Sequence, residues 1–356
     1  MVSTDAREAF VERLDFPDPG NAGEFASLLA DCSRRGGELL CVLVKTPGNG
    51  LTNDYSRTLA IHSITAALAA KGLELPMIIA SGGTEGIGIP HLIAFGRRPG
   101  GHLAAPPGTD ALALGHGVGP AMEPDEIGSE RMARATAAAV RAAFADAGIG
   151  DPAAADLVIV KAPLPPPGGL ALDEAAFAEL KSRARGAAAL GAAVALGEQD
   201  PDAVCAALDA ADPYCSRVLV SAATDDARPQ ALVLGRAPGW SGRLAVGVAI
   251  MHDMLDTETA GALLRQLGLS AAPQLGATER GWLRAVLAKG ELPRRLRGVA
   301  LPSSEDSDIH PNRHFRAALG GILGALIGDA RIYLSGGSEH QVPPGAVLLA
   351  VIAEQA

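Results

Sequence analysis

Three short apolar runs that each end in lysine recur along the chain: Cys41-Val-Leu-Val-Lys45, Leu157-Val-Ile-Val-Lys161 and Ala285-Val-Leu-Ala-Lys289. The first two are rich in β-branched residues and read as strands; the third is a weaker strand of the same kind. Downstream of each lysine comes an apolar run closed by serine, two small residues, a hydroxyl and an acid. These are Met77–Glu85, Val218–Asp225 and Ile332–Glu339, with serines at Ser81, Ser221 and Ser335. A further strand follows every serine, at Pro90–Gly96, Ala231–Gly235 and Ala346–Ala353. Between lysine and serine an arginine opens a helical stretch, and Arg57, Arg185 and Arg313 stand 128 residues apart in each case. An ordered set of strands met three times restricts the chain to three similar units.

The unit boundaries fall where Gly and Pro cluster, at Arg97–Pro107 and Arg236–Gly242, which divides the chain into 1–104, 110–238 and 243–356. Glu126–Gly148 and Thr257–Gly268 read as amphipathic helices ahead of Lys161 and Lys289. Each unit is therefore expected to be an α/β layer, and three such α/β domains are most economically arranged about a pseudo-threefold axis. A period near one third of 356 residues is a domain and not a solenoid module. With 48% hydrophobic and 20% charged residues the chain has ample material for buried cores.

The formal charge of −10 disfavours nucleic acid as a partner. Met1–Glu8 lacks the basic-then-apolar layout of a signal peptide. The longest uncharged helix-like runs, Gly186–Gly197 and Ala317–Gly328, are too short to span a bilayer, so a cytoplasmic protein without a membrane partner is expected. Cys32, Cys41, Cys205 and Cys215 form no C-x-x-C spacing and read as core thiols. No H-x-x-x-H pair is read on a helix, so a catalytic zinc is not expected. Gly83–Gly88 and Gly115–Gly119 do not open a strand–loop–helix unit, which removes them as nucleotide loops. Pro163–Gly169 can continue neither helix nor central strand and is expected to form a rigid loop after Lys161.

Taken singly, a strand-end lysine is usually solvated, a Ser-Gly-Gly is usually a turn, and an arginine opening a helix usually lies on the surface. Their triple recurrence points to one central site. A lysine amine acts as a base only when neutral, and burial lowers its pKa toward that state. A serine hydroxyl becomes a nucleophile when a neighbouring base takes its proton, and Ser-Lys pairs are an established alternative to Ser-His-Asp. The small residues after each serine, Gly82-Gly83, Ala222-Ala223 and Gly336-Gly337, leave backbone N–H groups accessible to a developing oxyanion. One arginine per unit adds planar donors for carbonyl oxygens. A small flat ring of alternating carbonyl and N–H groups would suit such a site.

At these residues the chain resembles the ring-opening amidohydrolases, the family of cyanuric acid hydrolase and barbiturase. The resemblance spans nearly the whole chain and is most specific at Ser81-Gly-Gly-Thr-Glu-Gly, Glu126-Ile-Gly, Val160-Lys161, Ala193–Glu198, Ala288-Lys289, Asp308-Ile-His and Ser335–Gln341. It implies three α/β domains around a pseudo-threefold axis, with Lys45 and Ser81, Lys161 and Ser221, and Lys289 and Ser335 as dyads facing one substrate. It also implies Ser221 as nucleophile and Lys161 as its base. Arg57, Arg185 and Arg313 become the substrate clamps, with Arg316 as the alternative third clamp, and Gly82, Ala222 and Gly336 line the ligand. The implied reaction is hydrolytic opening of a small cyclic imide, foremost cyanuric acid, giving carboxybiuret and then biuret and carbon dioxide. Barbituric acid is the alternative substrate, and a ligand-binding protein without turnover is the alternative from another class.

No organic cofactor is implied. A homotetramer is, and so is a structural Mg²⁺ or Ca²⁺ held by the Glu291 carboxylate and carbonyl oxygens near Ser338 and Gln341. Two departures stand out. Ser221-Ala-Ala-Thr-Asp-Asp replaces a family pattern of Ser-Ser-Gly-x-Glu type, and Gln341-Val-Pro-Pro-Gly-Ala replaces a glycine-rich loop.

Overall fold

The computed structural model describes residues 6–51, 53–100, 110–166, 172–210 and 212–355. Three sheets carry the repeat. The first is built from β1 (Arg7–Asp15), β2 (Glu38–Thr46), β3 (Met77–Gly82) and β4 (His91–Pro99), and the second from β5 (Leu112–Val118), β6 (Ala155–Pro163), β7 (Val218–Ala223) and β8 (Gln230–Arg236). The two-residue β9 (Trp240–Ser241) adds to the edge of β1. The third sheet contains β10 (Leu244–Met251), β11 (Leu283–Gly290), β14 (Tyr333–Gly336) and β15 (Val347–Glu354), while β12 (Arg295–Leu296) and β13 (Val299–Ala300) pair only with each other.

The strand orders β3-β2-β4-β1, β7-β6-β8-β5 and β14-β11-β15-β10 are one order met three times: serine strand, lysine strand, post-serine strand, opening strand. Apart from β9, the three sheets fall within 1–104, 110–238 and 243–356. The lysine and serine strands are parallel in each sheet, so each pair requires a crossover connection. The helices α2 (Ser56–Ala69), α4 (Glu174–Ala195) and α8 (Pro311–Ile327) make those crossovers. Helices α1 (Gly23–Arg34), α3 (Glu130–Ala147) and α6 (Thr257–Gln266) connect opening to lysine strands, and α5 (Val204–Leu208) and α7 (Ala277–Trp282) are short additions. Every lysine strand carries the same register shift against its post-serine neighbour, at Leu39/Cys41, Ala155/Leu157 and Leu283/Ala285. A bulge kept at one place in three copies is a shared bend near the start of the strand, upstream of the lysine.

Some local expectations are corrected. The third lysine run forms a full buried strand despite its alanines, because β11 lies between β14 and β15 and pairs with both. Arg185 does not open its helix: α4 begins at Glu174, where Asp173 accepts a hydrogen bond from the Ala176 N–H as an N-cap. Cys32, Cys41 and Cys215 are buried, whereas Cys205 is exposed on α5, a helix too short to cover it. His310 and His314 do stand at H-x-x-x-H spacing, yet His310 lies outside α8 and accepts from the Asn312 N–H while His314 bonds Asp306. Of the proline-rich loop, Pro163 closes β6, and Pro167–Gly169 lie outside the described residues. No helix of the described residues is long and apolar enough to cross a membrane.

Contacts divide the chain into two compact units. Unit 1 contains Met1–Leu112, Gly239–Gly336 and Gly345–Ala356, and unit 2 contains Ala113–Pro238 with Gly337–Pro344. Within unit 1, one core gathers Phe16, Phe25, Leu29 and Ile64 under the first sheet, and another gathers Leu263, Phe315, Leu319 and Leu323 under the third. Unit 2 has an alanine-rich core in which α3 and α4 approach closely. A Cβ on Gly191 would stand 2.2 Å from the Ala133 carbonyl oxygen, so the small residues that conceal helical periodicity are what allow this approach.

Candidate active site

Strand register places each lysine directly beside its serine: Lys45 pairs with Ser81, Lys161 with Ser221, and Lys289 with Ser335. All three lysines are buried, although each is surrounded by a run that reads as ordinary strand. Lys289 Nζ donates to Ser335 Oγ at 3.1 Å and to the Gly336 carbonyl at 2.8 Å. Lys45 Nζ donates to Ser81 Oγ at 3.2 Å, to the Gly82 carbonyl at 2.9 Å and to the Leu334 carbonyl of β14. Burial, reinforced by the Arg316 charge, pushes Lys45 well below the ordinary lysine range. A neutral Lys45 can donate to both carbonyls and still turn its lone pair to the Ser81 hydroxyl.

The second dyad differs. Lys161 Nζ donates to Asp225 Oδ2 at 2.6 Å, and the buried Ser221 Oγ has no hydrogen-bond partner among the described residues. A buried hydroxyl left unpaired is costly in a purely structural role. Ser81 and Ser335 are held by their lysines; Ser221 alone is uncommitted.

The small residues after the serines have separate causes. A Cβ on Gly82 would stand 1.8 Å from Asp54 Oδ2, and one on Gly336 2.6 Å from Asn312. Ala222 is half-buried at the equivalent place in unit 2, where a methyl is accommodated.

Sequence reasoning recorded the acid four residues after each serine without giving it a role, and two of these acids bind the arginines. Arg316 grips Glu85 through Nε at 2.8 Å and a second nitrogen at 2.6 Å, and Arg313 reaches the same carboxylate at 3.3 Å. Arg185 Nε donates to Glu339 Oε2 at 2.6 Å while its terminal nitrogen donates to Oε1. Burial pushes the Glu339 carboxyl up, but the hydrogen bonds and charge of Arg185 outweigh it and hold the group down at about 2. Glu85 is likewise raised by burial and brought below the ordinary range by Arg316. Arg316 is buried and two-pronged in the manner of Arg185, whereas the Arg313 side chain is 35% exposed. Arg57 in α2 donates to the Leu51 carbonyl at 2.6 Å and lies 3.7 Å from Asp54.

Within unit 1, Lys45, Gly83, Glu85, Arg316 and Leu334 line one narrow cavity. Opposite Lys45 across the sheet, His91 is buried with Nδ1 on the Ile89 carbonyl, and burial lowers its pKa to about 4 so that it stays neutral. Gln230 is its counterpart opposite Lys161.

Of the residues expected at a metal, Ser338 and Gln341 are buried in unit 2 and Glu291 follows β11 in unit 1. Gln341 Oε1 accepts from the Val220 N–H at 2.8 Å, so the side chain secures the strand that carries Ser221. Among the described residues no three His, Cys, Asp or Glu side chains converge to hold a metal.

Three sheets of one strand order, each with a buried lysine in register with a serine, define an α/β protein built by repetition. The model of the family described as amidohydrolase ring-opening protein matches residues 10–354. A cyanuric acid amidohydrolase from Bradyrhizobium sp. (strain ORS 375) is 36% identical, with 99% of this chain and 100% of the relative covered. A cyclic amide hydrolase from Azorhizobium caulinodans is also 36% identical, covering 96% and 98%. Among solved structures, the cyanuric acid hydrolase of A. caulinodans superposes with a TM-score of 0.84 at 33% identity over 98% of this chain and 99% of that one. Another cyanuric acid hydrolase gives 0.87 at 29% identity, covering 98% and 100%. The chain belongs to the ring-opening amidohydrolase family.

Proposed function

We propose that the protein hydrolyses cyanuric acid at one site on a pseudo-threefold axis, where each repeat presents a serine, a lysine and an arginine. The threefold register of lysine beside serine carries this reading. Two interlocks support it: the first repeat's serine loop is gripped by Arg316 of the third, and the third repeat's serine loop by Arg185 of the second. A ring with three equivalent carbonyls matches three equivalent binding sets.

In this reading Ser221 Oγ attacks a ring carbonyl and its proton passes to Lys161. The N–H groups after the serine receive the oxyanion, and the C–N bond breaks as Lys161 protonates the ring nitrogen. Water then releases carboxybiuret, which loses carbon dioxide to give biuret. Lys45, Ser81, Gly82, Ala222, Lys289, Ser335 and Gly336 hold the remaining ring edges, with Arg57, Arg185 and Arg313 or Arg316 as clamps. Carbonyls near Ser338 and Gln341 and the Glu291 carboxylate would hold a Mg²⁺ or Ca²⁺, which supplies rigidity to the C-terminal loop and no chemistry. The assembled enzyme is a homotetramer.

The test is turnover of cyanuric acid beside barbituric acid by the purified protein, with Ser221→Ala and Lys161→Ala in parallel. Both variants should lose at least about a hundredfold in kcat/KM, the scale of acid–base and nucleophilic assistance. Preference for barbituric acid overturns the substrate, and absence of turnover on both overturns the reaction. A second reading, favoured by the depressed Lys45, makes Ser81 the nucleophile; activity that survives Ser221→Ala but not Ser81→Ala would establish it.

A further inference from the structure

A guanidinium has five N–H donors, one on Nε and two on each terminal nitrogen. In Arg316 three of them are taken: Nε and Nη2 share the Glu85 carboxylate, and Nη2 also donates to the Asn49 carbonyl at 3.2 Å. Arg185 repeats the pattern, with Nε and Nη2 on Glu339 and Nη2 also on the Ser182 hydroxyl at 3.2 Å. The two donors left in each case sit on one nitrogen, Nη1, which makes no hydrogen bond among the described residues.

The faces of these groups are fixed as well as their edges. Gly83 and Gly337, each two residues before the acid, have φ of +94° and +76°. A Cβ on Gly83 would stand 2.4 Å from Arg316 Nε, and one on Gly337 2.6 Å from Arg185 Cζ, so each guanidinium lies against bare glycine backbone. The two arginine side chains are 9% and 11% exposed. Within unit 1, Arg316 lines the same cavity as Lys45. Arg313 has no such cradle and meets Glu85 through one nitrogen at 3.3 Å. The second repeat's serine loop has none either: Ala223 stands in place of the glycine, and Asp225 binds Lys161.

We infer that Glu85 and Glu339 are positioning residues: each holds the Nε–Nη2 edge of an arginine, so that Nη1 is what remains for a ring carbonyl. The inference rests on the reading of Arg316 and Arg185 as clamps on a cyclic imide. An arginine held in place before the ligand arrives loses little side-chain freedom on binding. The carboxylate also offsets the guanidinium charge. Such a clamp selects by the direction of two N–H groups, which suits a flat ring whose carbonyl oxygens accept in its own plane. Burial raises both carboxyls, but the arginines bring them below the ordinary glutamate range, so both cradles stay ionised at neutral pH.

The experiment is steady-state turnover of cyanuric acid at pH 7 by wild type, Glu85→Gln, Glu339→Gln, Arg316→Met and the double variant Glu85→Gln/Arg316→Met. Each glutamine variant should raise KM at least about tenfold and leave kcat within about threefold, because a misdirected clamp weakens ground state and transition state alike. A purely structural ion pair gives the opposite split, since loss of folded protein lowers the apparent kcat and leaves KM where it was. Glu85 acts through Arg316, so the double variant should have the KM of Arg316→Met within about twofold. Arg316→Lys replaces Arg316→Met in the cycle if the latter does not fold. A KM unmoved in either glutamine variant, or a fall in kcat alone, overturns the inference for that residue. A double variant whose KM rises by the product of the two single effects overturns it for Glu85. A wild type that does not turn over cyanuric acid overturns the reading on which the inference rests, an outcome distinct from all of these.

Discussion

Replacing Glu339 by glutamine isolates the buried ion pair of unit 2. Glu339 receives two donors from Arg185 and one from the Ser182 hydroxyl at 2.8 Å, with side-chain exposures of 26% for the acid and 11% for the arginine. Its carboxyl lies at about 2 in the folded protein against an ordinary 4.5. At ~1.4 kcal/mol per pH unit, that gap links about 3 kcal/mol of folding free energy to the ionised form. Because the folded value is the lower one, this stability is fully present above 4.5 and is lost as pH falls through about 2. The variant should therefore be about 3 kcal/mol less stable at pH 7, in line with the cost of leaving a buried charge unpaired, and only ~1.4 kcal/mol less stable at pH 3. Urea denaturation followed by far-ultraviolet circular dichroism measures the gap; Trp240 and Trp282 both lie in unit 1, so tryptophan fluorescence is the poorer probe. A gap of equal size at pH 7 and pH 3 would refute the linkage and assign the loss to packing.

The other predictions are compact. Gly191→Ala forces a methyl to within 2.2 Å of the Ala133 carbonyl, and should destabilise by at least about 2 kcal/mol through overpacking between α3 and α4; a denaturation midpoint within error of wild type would reject that close approach. If the C-terminal loop holds a hard cation, metal analysis should find about one Mg²⁺ or Ca²⁺ per chain, and chelator should lower the melting temperature in wild type but not in Glu291→Gln. Ser221→Ala and Lys161→Ala should each lower kcat/KM for cyanuric acid by at least about a hundredfold, read from steady-state turnover.

Much of the fold is legible in the chain because β-branched runs and turn residues act locally. The lysine and serine strands, the helices at Glu126–Gly148 and Thr257–Gly268, and the order of elements in each repeat are all present in the structure. Errors fall where side chains carry little pattern. The polar opening turns of α4 hide the true helix start at Glu174, and the alanine-rich Leu283–Gly290 becomes a good strand only because two neighbours pair with it.

The candidate site shows the same division. Sequence by itself determined which residue types recur, and in what order, since repetition is written along the chain. Only the tertiary structure decided what each copy does with them. Strand register brings Lys161 beside Ser221, but a carboxylate four residues further on, at 2.6 Å, draws the ammonium to itself. In the other repeats the corresponding acids are held by Arg316 and Arg185, which lie 231 and 154 residues away in sequence. Hydrogen bonds and charges act over a few ångströms of space, so three motifs nearly identical in type acquire different partners once the chain has chosen their neighbours.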